Sequence, residues 1–507
     1  MSEQKKMNVL FIVTDQHRAD HLSCAGNPIL KTPNLDELAS EGIHFTSTYC
    51  ANPICSPNRA SLLTRLYPNM HGLRSNGINL PENVPTIAHA LSNNGYQTHA
   101  IGKMHLQWWA QKLEESASSF EDVNRWFSEK WRQIMKENLP SPYYGFNGVE
   151  MVLGHGDICA GHYFDWLEEK APQYLPIIRE KGRKFFLKTH YETEIPEELY
   201  STTYVTERSI AFLEKCSKGE YGDKPFFLFC SFPDPHHPVT PPGKYWNMYK
   251  PEDVNFPESF KDQENLKKHQ FLGKLLDIAF FRGMVLRTDP EELVREFIAA
   301  TYGSVAMVDR SIGQILASLH KFGLANNTMV IYTSDHGDMM GDHGLILKGP
   351  CPFNGVLRVP LIWKIPGITN GGVSDSLVSS IDIPKTILEL EEIGKNQQPY
   401  GIQGINITPI LKDPSKKVRD FCLVEHDEEL FNFGVRARLR HLITESHKLT
   451  IYNGLYGYGD LFDRKNDPLE LNNLWYSHPD LRNTLVEKLL HENLNAQSIY
   501  PKRIALS

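Results

Sequence analysis

Four short apolar runs, at residues 8–14, 98–101, 226–232 and 329–333, set the pattern of the chain. Each is bounded by turn formers or polar residues, which predicts buried strands. Between them lie stretches with helical spacing of apolar positions, such as 33–41 and 297–320. Strand alternating with helix predicts an α/β fold: a large, mostly parallel sheet with helices on both faces.

Two regions depart from that rhythm. Residues 107–198 are rich in aromatic and charged side chains, among them Trp108, Trp109, Trp126, Trp131, Tyr143, Tyr144 and Trp166. This stretch is expected as a large insertion over the sheet, with most of its aromatics in a satellite core. A softer boundary falls at 394–404, where Gln, Pro and Gly collect. Beyond it, strand-like runs at 421–424, 438–444 and 449–452 precede a helix-like end at 481–494. The chain therefore divides into an expected catalytic α/β domain at 1–400 and a smaller C-terminal α+β domain at 401–507. A chain of 507 residues exceeds one ordinary core, in keeping with two domains.

Composition narrows the function. A net charge of -8 argues against a general nucleic-acid binder, which needs a basic surface. It leaves room for an anionic substrate in a locally basic pocket. The apolar run at 9–13 is too short for a secretory or membrane segment, and no later run is long enough to span a bilayer. A cytoplasmic protein without membrane association is expected. The eight cysteines are scattered, form no C-x-x-C pair and are expected as reduced thiols. Cys50 and Cys55 lack the spacing of a zinc site.

The strand ends carry the candidate chemistry. The first strand runs into Asp15-Gln16, the second into Gly102-Lys103-Met104-His105, the third into Pro235-His236-His237-Pro238, and the fourth into Asp335-His336. In open α/β sheets ligands bind beyond the carboxyl ends of the strands. Four ends with metal ligands, cations or acid/base groups predict one shared site. Cys55 precedes Pro57, Arg59 and a helical run, so it is expected at a helix N-terminus that favours negative charge, with Arg59 on the same face. Taken alone, a lone cysteine there is more often a buried thiol.

The run Cys55-Ser56-Pro57-Asn58-Arg59 resembles the Cys-x-Pro-x-Arg signature of type I sulfatases of the alkaline phosphatase superfamily. The similarity extends in order through Asp15, Gly102 to His105, Pro235 to Pro238, Ser334 to Asp338, and Leu461-Phe462-Asp463 with Asp467-Pro468-Leu469-Glu470. It implies an alkaline-phosphatase-like fold and hydrolysis of a small-molecule sulfate ester. It also implies that a separate maturation enzyme oxidises Cys55 to formylglycine. By resemblance, Asp15, Gln16, Asp335 and His336, with residue 55, hold one divalent metal ion, Ca²⁺ or Mn²⁺. Arg59 steadies the formylglycine oxygens, Lys103 and Lys348 hold the sulfate, His105 is the base and His236 the acid, with His237 as its alternative. Asn76 is expected at the site as a substrate contact.

Gln16 and His336 resemble the phosphonate monoester hydrolase branch of the superfamily, whereas Lys103 and His105 match the sulfatase branch. A phosphonate monoester or phosphodiester hydrolase is therefore the second reading. A non-catalytic binding protein on this fold is a third, but the nucleophile and ligands it would lack are present. A rival metal pair, His17 and His21, lacks the glutamate of H-E-x-x-H. Residues near Glu425, His426 and Arg436 are expected to shape the leaving-group pocket. A homo-oligomer is compatible with the sequence.

Overall fold

The computed structural model describes residues 6–109, 118–184, 188–277, 287–394, 398, 403–430 and 435–497. Most of the 394–404 boundary, and parts of 107–198, lie outside these residues. In chain order the strands are β1 (Asn8–Thr14), β2 (Ile43–Phe45), β3 (Thr48–Tyr49), β4 (Gln97–Gly102), β5 (Gly148–His155), β6 (Ile158–Gly161), β7 (Phe226–Ser231) and β8 (Thr328–Ser334). They continue with β9 (Leu361–Lys364), β10 (Val373–Ser374), β11 (Val378–Ser379), β12 (Phe421–Leu430), β13 (Val435–Thr444), β14 (His447–Tyr452) and β15 (Gly459–Asp463).

Nine of these form one mixed sheet in the order β10-β2-β9-β8-β1-β7-β4-β5-β6. Its centre, β8-β1-β7-β4-β5, is parallel throughout. Every residue of β1 is buried, as its unbroken apolar run requires of a strand covered on both faces. Val9, Phe11 and Val13 pack on one side with Leu62 and Leu63 of the helix Cys55–Thr64 and Ile387 of the helix Asp382–Leu390. Leu10 and Ile12 pack on the other with Leu38 of the helix Pro33–Glu41, Leu213 of the helix Ser201–Ser217, and Ile312 of the helix Glu291–Lys321.

The stretch 107–198 differs from its expectation. Instead of lying wholly over the sheet, it supplies β5, parallel to β4, and β6, antiparallel to β5, at the sheet edge. The short helices before β5, Val123–Phe127 and Glu129–Asn138, hid this continuation of the strand-helix alternation. The C-terminal region forms a four-stranded antiparallel sheet, β12-β13-β14-β15, packed with the helix Pro479–Asn495. Its fourth strand coincides with the Leu461-Phe462-Asp463 run. Among the described residues no helix is long and apolar enough to cross a membrane.

Register positions the site. Thr14 of β1 pairs with Ser334 of β8, so Asp15 and Asp335 leave adjacent strand ends side by side. Gly102 of β4 pairs with Ser231 of β7, which brings Lys103 to the same rim.

Candidate active site

Cys55 is the first residue of its helix and is 2% exposed. Its sulfur lies 3.0 Å from Lys348 Nζ, 3.1 Å from His336 Nε2 and 3.7 Å from Asp15 Oδ1. Lys348 Nζ also reaches Gln16 Oε1 at 3.1 Å, His236 Nε2 at 2.7 Å and His336 Nε2 at 3.0 Å. Lys103 Nζ donates to Asp15 Oδ2 and lies 2.9 Å from His155 Nε2. The four strand ends thus converge with the start of the helix Cys55–Thr64.

Arg59 is fully buried. Its Nε donates to Asp335 Oδ2 at 2.7 Å, and Nη1 donates to the Lys103 carbonyl at 2.8 Å and Ser231 Oγ at 2.7 Å. Nη2 lies 3.6 Å from Asp15 Oδ2. These contacts tie the two carboxylates to the helix Cys55–Thr64. Asn76 is exposed, and its Oδ1 accepts the Ser56 backbone N–H at 3.2 Å, securing one of the free donors at the helix start. Gln16 donates through Nε2 to Asp338 Oδ2, which turns its oxygen toward Lys348. His105, with positive φ, stacks on Trp109 with ring centroids 3.8 Å apart.

The titration behaviour distinguishes Cys55 from the other seven cysteines. Burial pushes Cys24, Cys50, Cys159, Cys216, Cys230, Cys351 and Cys422 up. Burial opposes the thiolate at Cys55 as well, but the cations of Lys103, Lys348 and His336 overcome it and hold the thiol well below its ordinary value. Burial and the Cys55 charge push Asp15 up, yet Lys103 and His236 bring its carboxyl well below the usual range. Burial lowers His105 to about 3 and, with neighbouring cations and imidazoles, takes His236 and His237 well below the ordinary histidine range. His336 goes the other way: burial lowers it, but Asp335 leads the groups that raise it. The site therefore combines neutral imidazoles with a field that stabilises an anion at position 55.

Ligand atoms of Asp15, Cys55, Asp335 and His336 all lie within 4.8 Å of one another and are buried. Two carboxylates, an imidazole and the Gln16 oxygen form a donor set suited to a hard or borderline divalent cation. The residues thus fit a metal. The rival pair does not converge: His17 Nε2 lies 2.8 Å from the His21 carbonyl oxygen, while its Nδ1 meets the Tyr332 hydroxyl.

Two motif glycines have steric reasons. A Cβ on Gly102, where φ is +100°, would stand 1.8 Å from the Ser231 carbonyl oxygen; one on Gly337 would stand 2.0 Å from that of Gly355. Gly102→Ala is expected to destabilise the fold by about 3 kcal/mol or more, because backbone must separate between β4 and β7. A urea midpoint equal to that of the parent chain would contradict this packing.

A family model described as sulfatase matches residues 7–393. The chain belongs to the sulfatase family. A second model, the C-terminal region of N-sulphoglucosamine sulphohydrolase, matches residues 341–499. An arylsulfatase of Clostridium perfringens is 32% identical over 476 residues, covering 92% of this chain and 90% of its own. A multifunctional alkaline phosphatase superfamily protein of Trinickia caryophylli is 31% identical over 433 residues, covering 80% of this chain and 77% of its own. A phosphonate monoester hydrolase of Agrobacterium radiobacter shares the fold, with a TM-score of 0.79 at 24% identity and coverage of 99% and 98%.

One residue of this sulfatase-family site escaped the sequence reading. His155, at the end of β5, reaches Lys103 and stacks on His236 with ring centroids 3.5 Å apart. Its signal was present: the apolar run Met151-Val152-Leu153 ends in Gly154-His155, the same strand-then-polar pattern found elsewhere. Assigning the region to an insertion concealed it.

Proposed function

We propose that the chain hydrolyses sulfate esters to an alcohol and inorganic sulfate, with formylglycine at position 55 as nucleophile and one bound divalent cation, Ca²⁺ or Mn²⁺. The observation that carries this reading is the convergence of Lys348 Nζ, His336 Nε2 and Asp15 Oδ1 on the Cys55 sulfur, at 3.0, 3.1 and 3.7 Å, at the start of a helix. The charges that stabilise a thiolate there would also stabilise an attacking oxygen and the sulfate it receives.

Formylglycine, made from Cys55 by a separate maturation enzyme, supplies the hydroxyl nucleophile and allows hydrolysis in two steps. The cation, when bound, polarises the ester and offsets its growing negative charge. Lys103 and Lys348 hold sulfate oxygens as point charges. Arg59 keeps Asp15 and Asp335 in place and sustains the field on position 55. His236 donates its Nδ1–H to the His237 carbonyl, which leaves Nε2 facing the site. An arriving anion raises the proton affinity of His236, the direction a leaving-group acid requires. His105 receives the proton released when sulfate departs.

A phosphonate monoester or phosphodiester reading draws on Gln16 and His336 at the metal-binding cluster. Lys103 and His105 favour sulfate. With the chain produced alongside a maturation enzyme, kcat/KM for 4-nitrophenyl sulfate should exceed that for the matching phenylphosphonate ester. The opposite ranking would transfer the assignment to the phosphonate branch. Lys103→Ala is expected to lower kcat/KM for the sulfate ester by about 10²-fold, through loss of an anion contact in a water-excluded site. A steady-state comparison at fixed ionic strength measures this.

A further inference from the structure

Asp15, His155 and His236 also form a cluster of potential metal ligands, sharing Asp15 with the one above. The rings of His155 and His236 are inclined by only 6° with centroids 3.5 Å apart. A metal ion is bound along an imidazole lone pair, in the plane of the ring. Two parallel stacked rings have no common in-plane point, so this pair is ill-suited to hold a second ion. The stack calls for another account.

His155 enters on a rigid element. It closes β5, which is fixed by parallel pairing to β4 and antiparallel pairing to β6. Its side chain is 9% exposed. The next residue, Gly156, has φ +54°, and a Cβ there would lie 2.4 Å from the Pro238 carbonyl oxygen. The turn after β5 is thus pressed against the segment carrying His236. On its other side His236 lies against the ring of His237, with centroids 4.3 Å apart and planes 19° apart. His236 is therefore the middle ring of three. The His155 edge presents Nε2 to the Lys103 ammonium at 2.9 Å, and this same nitrogen is 3.5 Å from Asp15 Oδ2.

We infer that His155 is a positioning residue, whose flat contact fixes the ring plane of His236 and whose Nε2 holds the Lys103 ammonium at the anion site. The inference rests on the proposed sulfate ester hydrolysis and assigns His155 no proton transfer of its own. Its two contacts separate by chemistry. The face governs leaving-group departure through His236, and the edge governs anion binding through Lys103. Small displacements of a catalytic group from its working geometry cost about 10²-fold in rate.

The experiment uses a series of aryl sulfates whose phenols span a range of acidity, with kcat and KM measured for the mature enzyme and its variants. His155→Ala should reduce kcat by about 10- to 100-fold on poor leaving groups and by much less on 4-nitrophenyl sulfate. This is the same dependence expected of His236→Ala, and the double variant should lose little more than the worse single one. His155→Phe keeps a flat ring without the nitrogen. It should preserve the leaving-group dependence of the parent while raising KM. Thermal melts establish that each variant folds. If His155→Ala lowers all substrates equally and adds to His236→Ala, the positioning role is overturned. If His236→Ala itself shows no leaving-group dependence, the acid assignment fails instead, and the two failures are distinct. Should His155→Ala not fold, His155→Phe alone decides: a steeper leaving-group dependence or an unchanged KM refutes the division of roles.

Discussion

Cys55→Ala should abolish turnover, by at least about 10⁴-fold, while leaving the chain folded. The side chain removed is one sulfur atom at the first position of a helix, surrounded by groups that remain satisfied elsewhere. Arg59 keeps both carboxylates, and Asn76 keeps the Ser56 N–H. Removing the sulfur also removes a negative charge that Lys103, Lys348 and His336 favour, so a modest change in melting temperature of either sign is compatible with the fold. The companion measurement is the mass of the peptide containing residue 55, isolated from cells with a maturation enzyme. Conversion of thiol to aldehyde lowers the mass and tracks activity. A fully active protein whose residue 55 remains a thiol would remove formylglycine from the mechanism.

Asp335→Ala is expected to cost both stability and activity. Its carboxylate accepts Arg59 Nε and the backbone N–H groups of Gln16 and His336, at 2.7, 3.1 and 2.8 Å. Deleting it leaves a buried guanidinium whose nearest carboxylate among the described residues is Asp15, at 3.6 Å. Breaking one side of a buried ion pair costs about 3–5 kcal/mol. The same change removes one of two carboxylates in the proposed metal-binding cluster, so activity should fall by about 10³-fold or more even where the variant is folded. Urea unfolding reads the first effect and steady-state rates the second. In the parent chain a chelator should abolish activity, and added Mn²⁺ or Ca²⁺ should return it. Activity indifferent to thorough chelation would exclude a metal role for Asp15, Asp335 and His336.

The central sheet was legible because its strands are buried on both faces and read as continuous apolar runs. Their ends were legible because Asp15, Lys103 and Asp335 follow their strands directly and His236 comes a few residues after the third. β5 was not legible as part of the sheet: Gly148, Val149 and Glu150 are only half-buried, and the strand follows two short helices, Val123–Phe127 and Glu129–Asn138. Its loss from the reading took His155 with it. The contacts of Arg59 with Asp15 and Asp335 were not legible, since helical spacing from Cys55 shows a shared face but not the carboxylates beside it. Contacts such as Asn76 with Ser56 join a loop to a helix start and leave no periodic trace in sequence.

The central position of β1 also sets a timetable. Its neighbour β8 pairs with it across 320 residues of chain, as at Asn8 and Thr328. At about 5–20 residues per second, a ribosome takes roughly 15–60 s to cover that interval. Throughout it, β1 lacks its β8 partner and the pocket lacks Asp335, His336 and Lys348, so Cys55 belongs to a nascent segment with its final enclosure still unsynthesised. A thiol that is 2% exposed in the finished fold is thus open to a maturation enzyme during translation. Under the formylglycine reading, the long crossover that delays folding provides the interval in which the nucleophile is made.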